Sequence, residues 1–464
     1  NDIVVTHVLR SENFDDPADL ARLPAVSRVM RDAVAATGLQ FEELDEFDAA
    51  EVGCLSALER LQWGGRLSRQ EYLCQAAARS GLLEELKVLL SNGCPWDRST
   101  CSGAARGGHL EVLQWLRSKG CPWDEWTCSR AARGGHLEVL QWAHANGCPW
   151  DVNTCTFAAL DGHLEVLQWL RTNDCPWDEE TCAYAAQEGH LEVLQWARAN
   201  GCPWDTTTCT YAALDGKLEV LQWAHANGCP WDEETCSLAA RRGHLEVLQW
   251  ARANGCPWDG DTCMYAAEGG HLEVLQWART NGCPWHEETC SLAAACGHLE
   301  VLQWTRENDC LWDGDTCSDA AEGGHLEVLQ WARANGCPLA ENALFIAAEL
   351  GHETVVRALI ELGADVNMAR DNGVTPLYIA AQNGHETVVR ALIELGADVN
   401  MARDNGVTPL CMAAQNGHET VVRALIEASA DVNKAADNGG TPLCIAALWG
   451  REAIVHILKD AGAV

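Results

Sequence analysis

Near-copies of one 27-residue block abut without a gap through the middle of this chain. The block Cys229-Pro-Trp-Asp-Glu-Glu-Thr-Cys-Ser-Leu-Ala-Ala-Arg-Arg-Gly-His-Leu-Glu-Val-Leu-Gln-Trp-Ala-Arg-Ala-Asn-Gly255 is typical. Its first cysteine recurs at Cys94, Cys121, Cys148, Cys175, Cys202, Cys256, Cys283, Cys310 and Cys337. A fixed period of this size marks a solenoid, because one block cannot bury its apolar face alone and must stack on the next. The 464 residues therefore imply one elongated stack rather than several globular domains.

Each block reads as two short helices. Asp232 is a good N-cap, and Glu233 and Glu234 stand where carboxylates favour a helix N-terminus. The first helix carries Cys236, Ala239 and Ala240 and stops at Gly243, where glycine can turn left-handed. The second carries Leu245, Val247, Leu248 and Ala251 and ends at Asn254-Gly255. Neither is long enough to stand alone in water.

Towards the C-terminus the period lengthens. Thr375-Pro-Leu-Tyr-Ile-Ala-Ala-Gln-Asn-Gly-His385 and Thr408-Pro-Leu-Cys-Met-Ala-Ala-Gln-Asn-Gly-His418 are 33 residues apart, and Thr441-Pro-Leu opens a third copy. These residues resemble the ankyrin repeat, whose signature is T-P-L-H-x-A. Aligned on Ala-Ala and Gly-His, the shorter block lacks six residues of the loop that holds Asp371-Asn-Gly in the longer one. The resemblance spans about residues 68–464. It implies an all-α fold, an ankyrin-type helical solenoid with short hairpin loops in the C-terminal repeats.

Residues 1–40 carry no repeat signature. Asp2-Ile-Val-Val-Thr-His-Val-Leu9, with Leu20, Leu23, Val26, Ser27, Arg28, Met30 and Arg31, resembles an F-box, a small helical module. That resemblance implies docking on a Skp1-type adaptor of a ubiquitin ligase, with Val8, Leu9, Leu20, Leu23, Val26 and Met30 as docking residues. A helical cap on the solenoid is the alternative. Residues 41–93 are expected to be degenerate, capping repeats, residues 94–338 the 27-residue repeats, and residues 339–464 the 33-residue ankyrin repeats.

A net charge of −35 argues against nucleic acid and anionic membranes as partners. No run approaches the ~18 apolar residues of a spanning helix. The 24 cysteines invite disulfides or zinc. However, Cys236 aligns with Leu377 and Cys229 with Ala397, so cysteine stands where a small buried hydrophobe belongs. Like columns roughly 8–10 Å apart are too distant to be bridged. Free thiols imply a reducing compartment, cytoplasmic or nuclear.

Cys94, Cys101 and His109 recur as Cys-x6-Cys-x7-His, but Cys101 and His109 should lie ~12 Å apart along one helix, too far for one zinc ion. Residues repeated in every block are architecture and not a catalytic constellation. The expectation is a non-enzymatic protein without cofactors, a monomer that binds a protein client. The Trp96-to-Trp312 column aligns with Val366 and Val399, which predicts core. The Trp115-to-Trp331 column is expected to wedge between second helices.

Recognition must lie where blocks differ. The slot before Ala-Ala reads Gly103, Arg130, Phe157, Tyr184, Tyr211, Leu238, Tyr265, Leu292, Asp319. It follows the core cysteine by two residues, about 200° round the helix, and so points outward. By resemblance it looks onto the concave groove. Arg130, Phe157, Tyr184, Tyr211, Leu238, Tyr265 and Leu292 are therefore the candidate client-binding residues. Two roles fit: a receptor joining a client to a ubiquitin ligase, or a plain ankyrin scaffold.

Overall fold

An aspartate one residue ahead of the first helix fixes where that helix begins. Asp232 accepts a hydrogen bond from Glu234 N at 3.2 Å, and Asp97 does the same from Ser99 N at 2.9 Å. Each bond satisfies one of the amides that a helix start leaves open, worth about 1 kcal/mol. The computed structural model describes residues 45–63, 65–312 and 314–464. Among the described residues there are 30 helices and no strand, so the fold is an all-helical ankyrin-type solenoid. The adaptor-docking residues Val8, Leu9, Leu20, Leu23, Val26 and Met30 lie outside the described residues.

The typical block forms helices Glu233–Arg241 and Leu245–Ala253. Gly243 joins them at φ 77°, a left-handed turn. The same turn closes the second helix at Gly255, and where glycine is missing Asp174 and Asp309 take the left-handed conformation instead, at φ 59° and 61°. The first helix buries its threonine, cysteine and paired alanines, while the second buries valine, leucine and alanine. Within each part of the chain first helices pack side by side more closely than second helices do. The described residues fall into two compact units dividing between Trp231 and Asp232, although no linker composition marks that point.

Two different seams join neighbouring repeats. In the 33-residue repeats the hairpin turns stack through the backbone: Asp404 N donates to Asn372 O at 3.1 Å and Asp437 N to Asn405 O at 3.0 Å. The shorter repeats have no such hairpin, and tryptophan with arginine takes its place. Trp123 meets Trp142 of its own repeat edge-on, ring centres 5.9 Å apart. Arg117 of the preceding repeat lies over Trp123 at 4.0 Å and donates to the Cys121 carbonyl. The same grip recurs at Arg171–Trp177, Arg198–Trp204, Arg252–Trp258, Arg279–Trp285 and Arg306–Trp312. His144 and His225 fill the arginine position by stacking flat on Trp150 and Trp231, at 3.6 and 3.7 Å.

This corrects the expectation for both tryptophan columns. Neither is fully core: the rings are half-buried, and the second column pairs with the first instead of wedging between second helices. A ring too large for the Val399 slot cannot go fully inside, so its exposed face takes a cation.

The cysteines are free, and all but Cys94, Cys296 and Cys444 are buried. Their equivalence to leucine and alanine holds in space: Cys229 N and Ala397 N close the same turn, onto Ala224 O and Leu392 O, at 3.0 and 2.9 Å. One neighbour was not foreseen from like columns. The second cysteine of a repeat faces the first of the next: the Cys101 thiol points at the Cys121 carbonyl at 4.0 Å, and the Cys121 thiol donates to Asp97 O at 3.4 Å.

Candidate protein-binding face

The variable slot lies on the first helices, held by the Ala-Ala pair that follows it into the core. Phe157, Tyr184, Tyr211, Leu238, Tyr265 and Leu292 are half-buried, less exposed than a freely projecting ridge, because neighbouring first helices pack closely. Each compact unit carries part of the set.

In the first unit the rings are paired. Tyr184 and Tyr211 meet edge-on at 5.8 Å. Burial, with Tyr211 and Glu180 nearby, holds the Tyr184 hydroxyl above its ordinary pKa, so it stays a neutral hydrogen-bonding group. Phe157 does not join that pair. It packs against Trp126 at 5.9 Å, and Arg133 lies over it at 5.5 Å. Arg130 is no part of the apolar row: its Nη1 pairs with Glu51 Oε2 at 2.7 Å, with the guanidinium 5.8 Å from the Trp126 ring. In the second unit Arg241 covers Tyr265 at 5.4 Å and pairs with Glu268 at 2.8 Å, and Leu238 and Leu292 complete the row.

Trp126 is a site residue that the sequence reading passed over. It is 44% exposed, at the head of helix Glu125–Arg133. The signal was present, since it is a tryptophan belonging to neither tryptophan column. Arg133 joins it there: its ion pair with Asp161 at 3.3 Å fixes it in place over Phe157.

The recurrent histidines have a structural task. His109 stands in the turn between two helices, not at the far end of the helix holding Cys101 as the spacing suggested. The next one, His136, shares a hydrogen bond through Nε2 with Arg106 O of the preceding repeat at 3.0 Å, and His298 does so with Glu268 O at 2.9 Å. The His136 ring fills the space beside Gly108, where a Cβ would come within 2.6 Å of it. Among the described residues no group of three or more His, Cys, Asp or Glu is placed to hold a metal ion. No helix among them is long and apolar enough to cross a membrane.

What the face offers is shape, rings and oriented arginines: the means of gripping another chain. A comparison with curated proteins finds no match. Family models do match. One for ankyrin repeats in three copies covers residues 317–403 and 395–464, and one for ankyrin repeats in many copies covers residues 101–144 and 128–171. The second match falls wholly among the 27-residue blocks. The chain therefore carries ankyrin repeats, and these support a scaffold for protein–protein contact.

Proposed function

We propose that this chain is a client-binding receptor that holds a protein on its first-helix face and links it to a ubiquitin ligase through residues 1–40. The observation that carries the first half is the run Phe157, Tyr184 and Tyr211, half-buried and each held against a neighbouring ring, in repeats whose core slots hardly change. Large rings already held by neighbours lose little freedom on binding, and such residues dominate interface energy. Leu238, Tyr265 and Leu292 extend the same chemistry in the second unit. The ligase link rests on the likeness of residues 2–34 to an F-box, with Val8, Leu9, Leu20, Leu23, Val26 and Met30 set to meet a Skp1-type adaptor.

One experiment separates the two halves. A photo-crosslinking amino acid at Leu214, beside Tyr211 and on the same face, identifies the client in cells, and purified variants are then compared. Tyr184→Ala with Tyr211→Ala should weaken client binding by roughly 2 kcal/mol or more and leave the adaptor bound. Leu20→Ala with Leu23→Ala and Met30→Ala should release the adaptor and leave the client. Client binding that survives the tyrosine changes removes the recognition surface. An adaptor that never co-purifies leaves a plain ankyrin scaffold.

A further inference from the structure

The whole chain is strongly acidic, yet its first unit gathers arginines on the first-helix face. Arg79, Arg106 and Arg133 occupy the position after Ala-Ala in three successive repeats, and Arg130 joins them from the variable slot. The next three repeats place Leu160, Gln187 and Leu214 in that column. The fold accepts leucine or glutamine there, so stacking does not require arginine.

Arg106 is at the centre of the group. Its Nη1 is shut off from solvent and, among the described residues, has no hydrogen-bond acceptor. Burial, followed by Arg133, Arg79 and Arg130, brings its pKa down to about 10. Arg130 and Arg133 are already engaged by Glu51 and Asp161, and Glu51 also accepts from Gln75 Nε2 at 3.1 Å. A charged donor left unsatisfied among like charges is unfavourable unless something answers it. Glu51 shows the kind of group that answers Arg130, a carboxylate.

We propose that Arg106, flanked by Arg130 and Arg133, receives a carboxylate from an acidic segment of a protein partner, whose neighbouring apolar side chains lie on Trp126 and Phe157. The proposal rests on reading the first-helix face as a protein-binding surface, and it adds the chemistry of what binds there. Trp126 is the most open ring of the cluster and stands beside the arginines, so an acidic side chain followed by an apolar one meets both features. A polyphosphate is the poorer fit. The acidic remainder of the chain repels a dense polyanion, and Glu51 and Asp161 stand at the site itself. An isolated carboxylate brings a single charge to the half-buried Arg106 guanidinium and can pair with it in a planar geometry.

The test uses the full chain and a fluorescent short peptide of alternating Glu and Leu. Its controls are the same peptide with Gln for Glu, and one with phosphoserine as its only acidic residue. Fluorescence anisotropy should show the Glu peptide binding at least roughly tenfold more tightly than the Gln peptide, and more weakly as salt rises. Arg106→Gln should weaken it at least roughly fivefold, and Arg106→Leu should match. Both residues occur naturally in that column, so the thermal midpoint should hold or rise, which a residue kept for the fold would not allow. Equal binding of Glu and Gln peptides, Glu-peptide binding unchanged in the two Arg106 variants, or binding of the phosphopeptide alone would each overturn the proposal. Loss of the client on changing Tyr184 and Tyr211, with Arg106→Gln inert, defeats this assignment only. A client indifferent to the tyrosines defeats the broader reading instead.

Discussion

A buried thiol can stand in for leucine only while it keeps its proton. The neighbouring Cys121 thiol, and then burial, push the Cys101 thiol far above its ordinary pKa, and Cys128 follows through Cys148. Thiolate is the reactive form, so these groups are inert as long as the repeat stays closed. Cys444 is the opposite case: it is exposed, and its bonds to Thr441 lower its pKa. Cys296 is exposed but raised by partial burial. Cys94 is half-buried, and its hydrogen bond with Cys74 lowers its pKa. A brief pulse of iodoacetamide on the native protein should therefore label Cys444 first, Cys94 and Cys296 next, and the core cysteines only at the rate of unfolding. Early labelling of Cys101 or Cys236, read by peptide mass spectrometry, would contradict the buried-hydrophobe role. The equivalence of Cys236 to Leu377 was legible because two repeat lengths could be laid side by side. The thiol pair across a repeat boundary was not, since aligned columns compare like with like and say nothing of which unlike columns touch.

Helix ends explain why so short a block holds together. Both helices of the typical block have nine residues, too few to persist alone, so each depends on what covers its termini. Asp232 covers one start, and at the other end Arg252 reaches past the helix to bond the Cys256 carbonyl and lie over Trp258 at 4.1 Å, tying the finish to the next repeat. Replacing Arg252 with alanine should cost about 1–2 kcal/mol, from the ring contact and the favourable charge at a helix C-terminus. Gln249→Ala, on an exposed stretch of the same helix, should change the urea midpoint hardly at all. If the two variants unfold alike, the arginine is an ornament of the surface. The caps, the turn glycines and the helix pair were all legible, because they depend on residues close together in sequence. The seam was not. Its partners are adjacent in sequence but on different repeats, and the alignment with Val399 pointed to a core that a ring of that size does not fit. At the candidate site the slot was legible and its groupings were not: Phe157 answers to Trp126, a residue that breaks the column pattern rather than obeying it.

At the scale of the whole molecule, the histidine ladder within each unit ties stability to acidity. Burial, the largest influence, lowers the pKa of His136, which stands between His109 and His163, and of His271, which stands between His244 and His298. The unfolded chain therefore takes up protons that the folded chain refuses. The stability involved is present above the ordinary histidine pKa of about 6.5 and fades as pH falls below it towards the lowered folded values. Falling pH also relieves the acidic self-repulsion, so the effect must be read as a difference between proteins. His136→Lys with His271→Lys, using the residue the chain itself carries at Lys217, should lose less stability between about pH 7.5 and pH 5.5 than the parent. An identical pH dependence would exclude the ladder as its source. The tryptophan seam has a consequence of another kind. Every short repeat ends in a hand and begins with a handle: an arginine or histidine reaching forward, a tryptophan waiting to be held. A gene that gains or loses one 27-residue cassette by unequal crossing-over therefore rejoins hand to handle at the new junction. Such a lineage can lengthen or shorten its binding face in a single step, without first having to invent an interface.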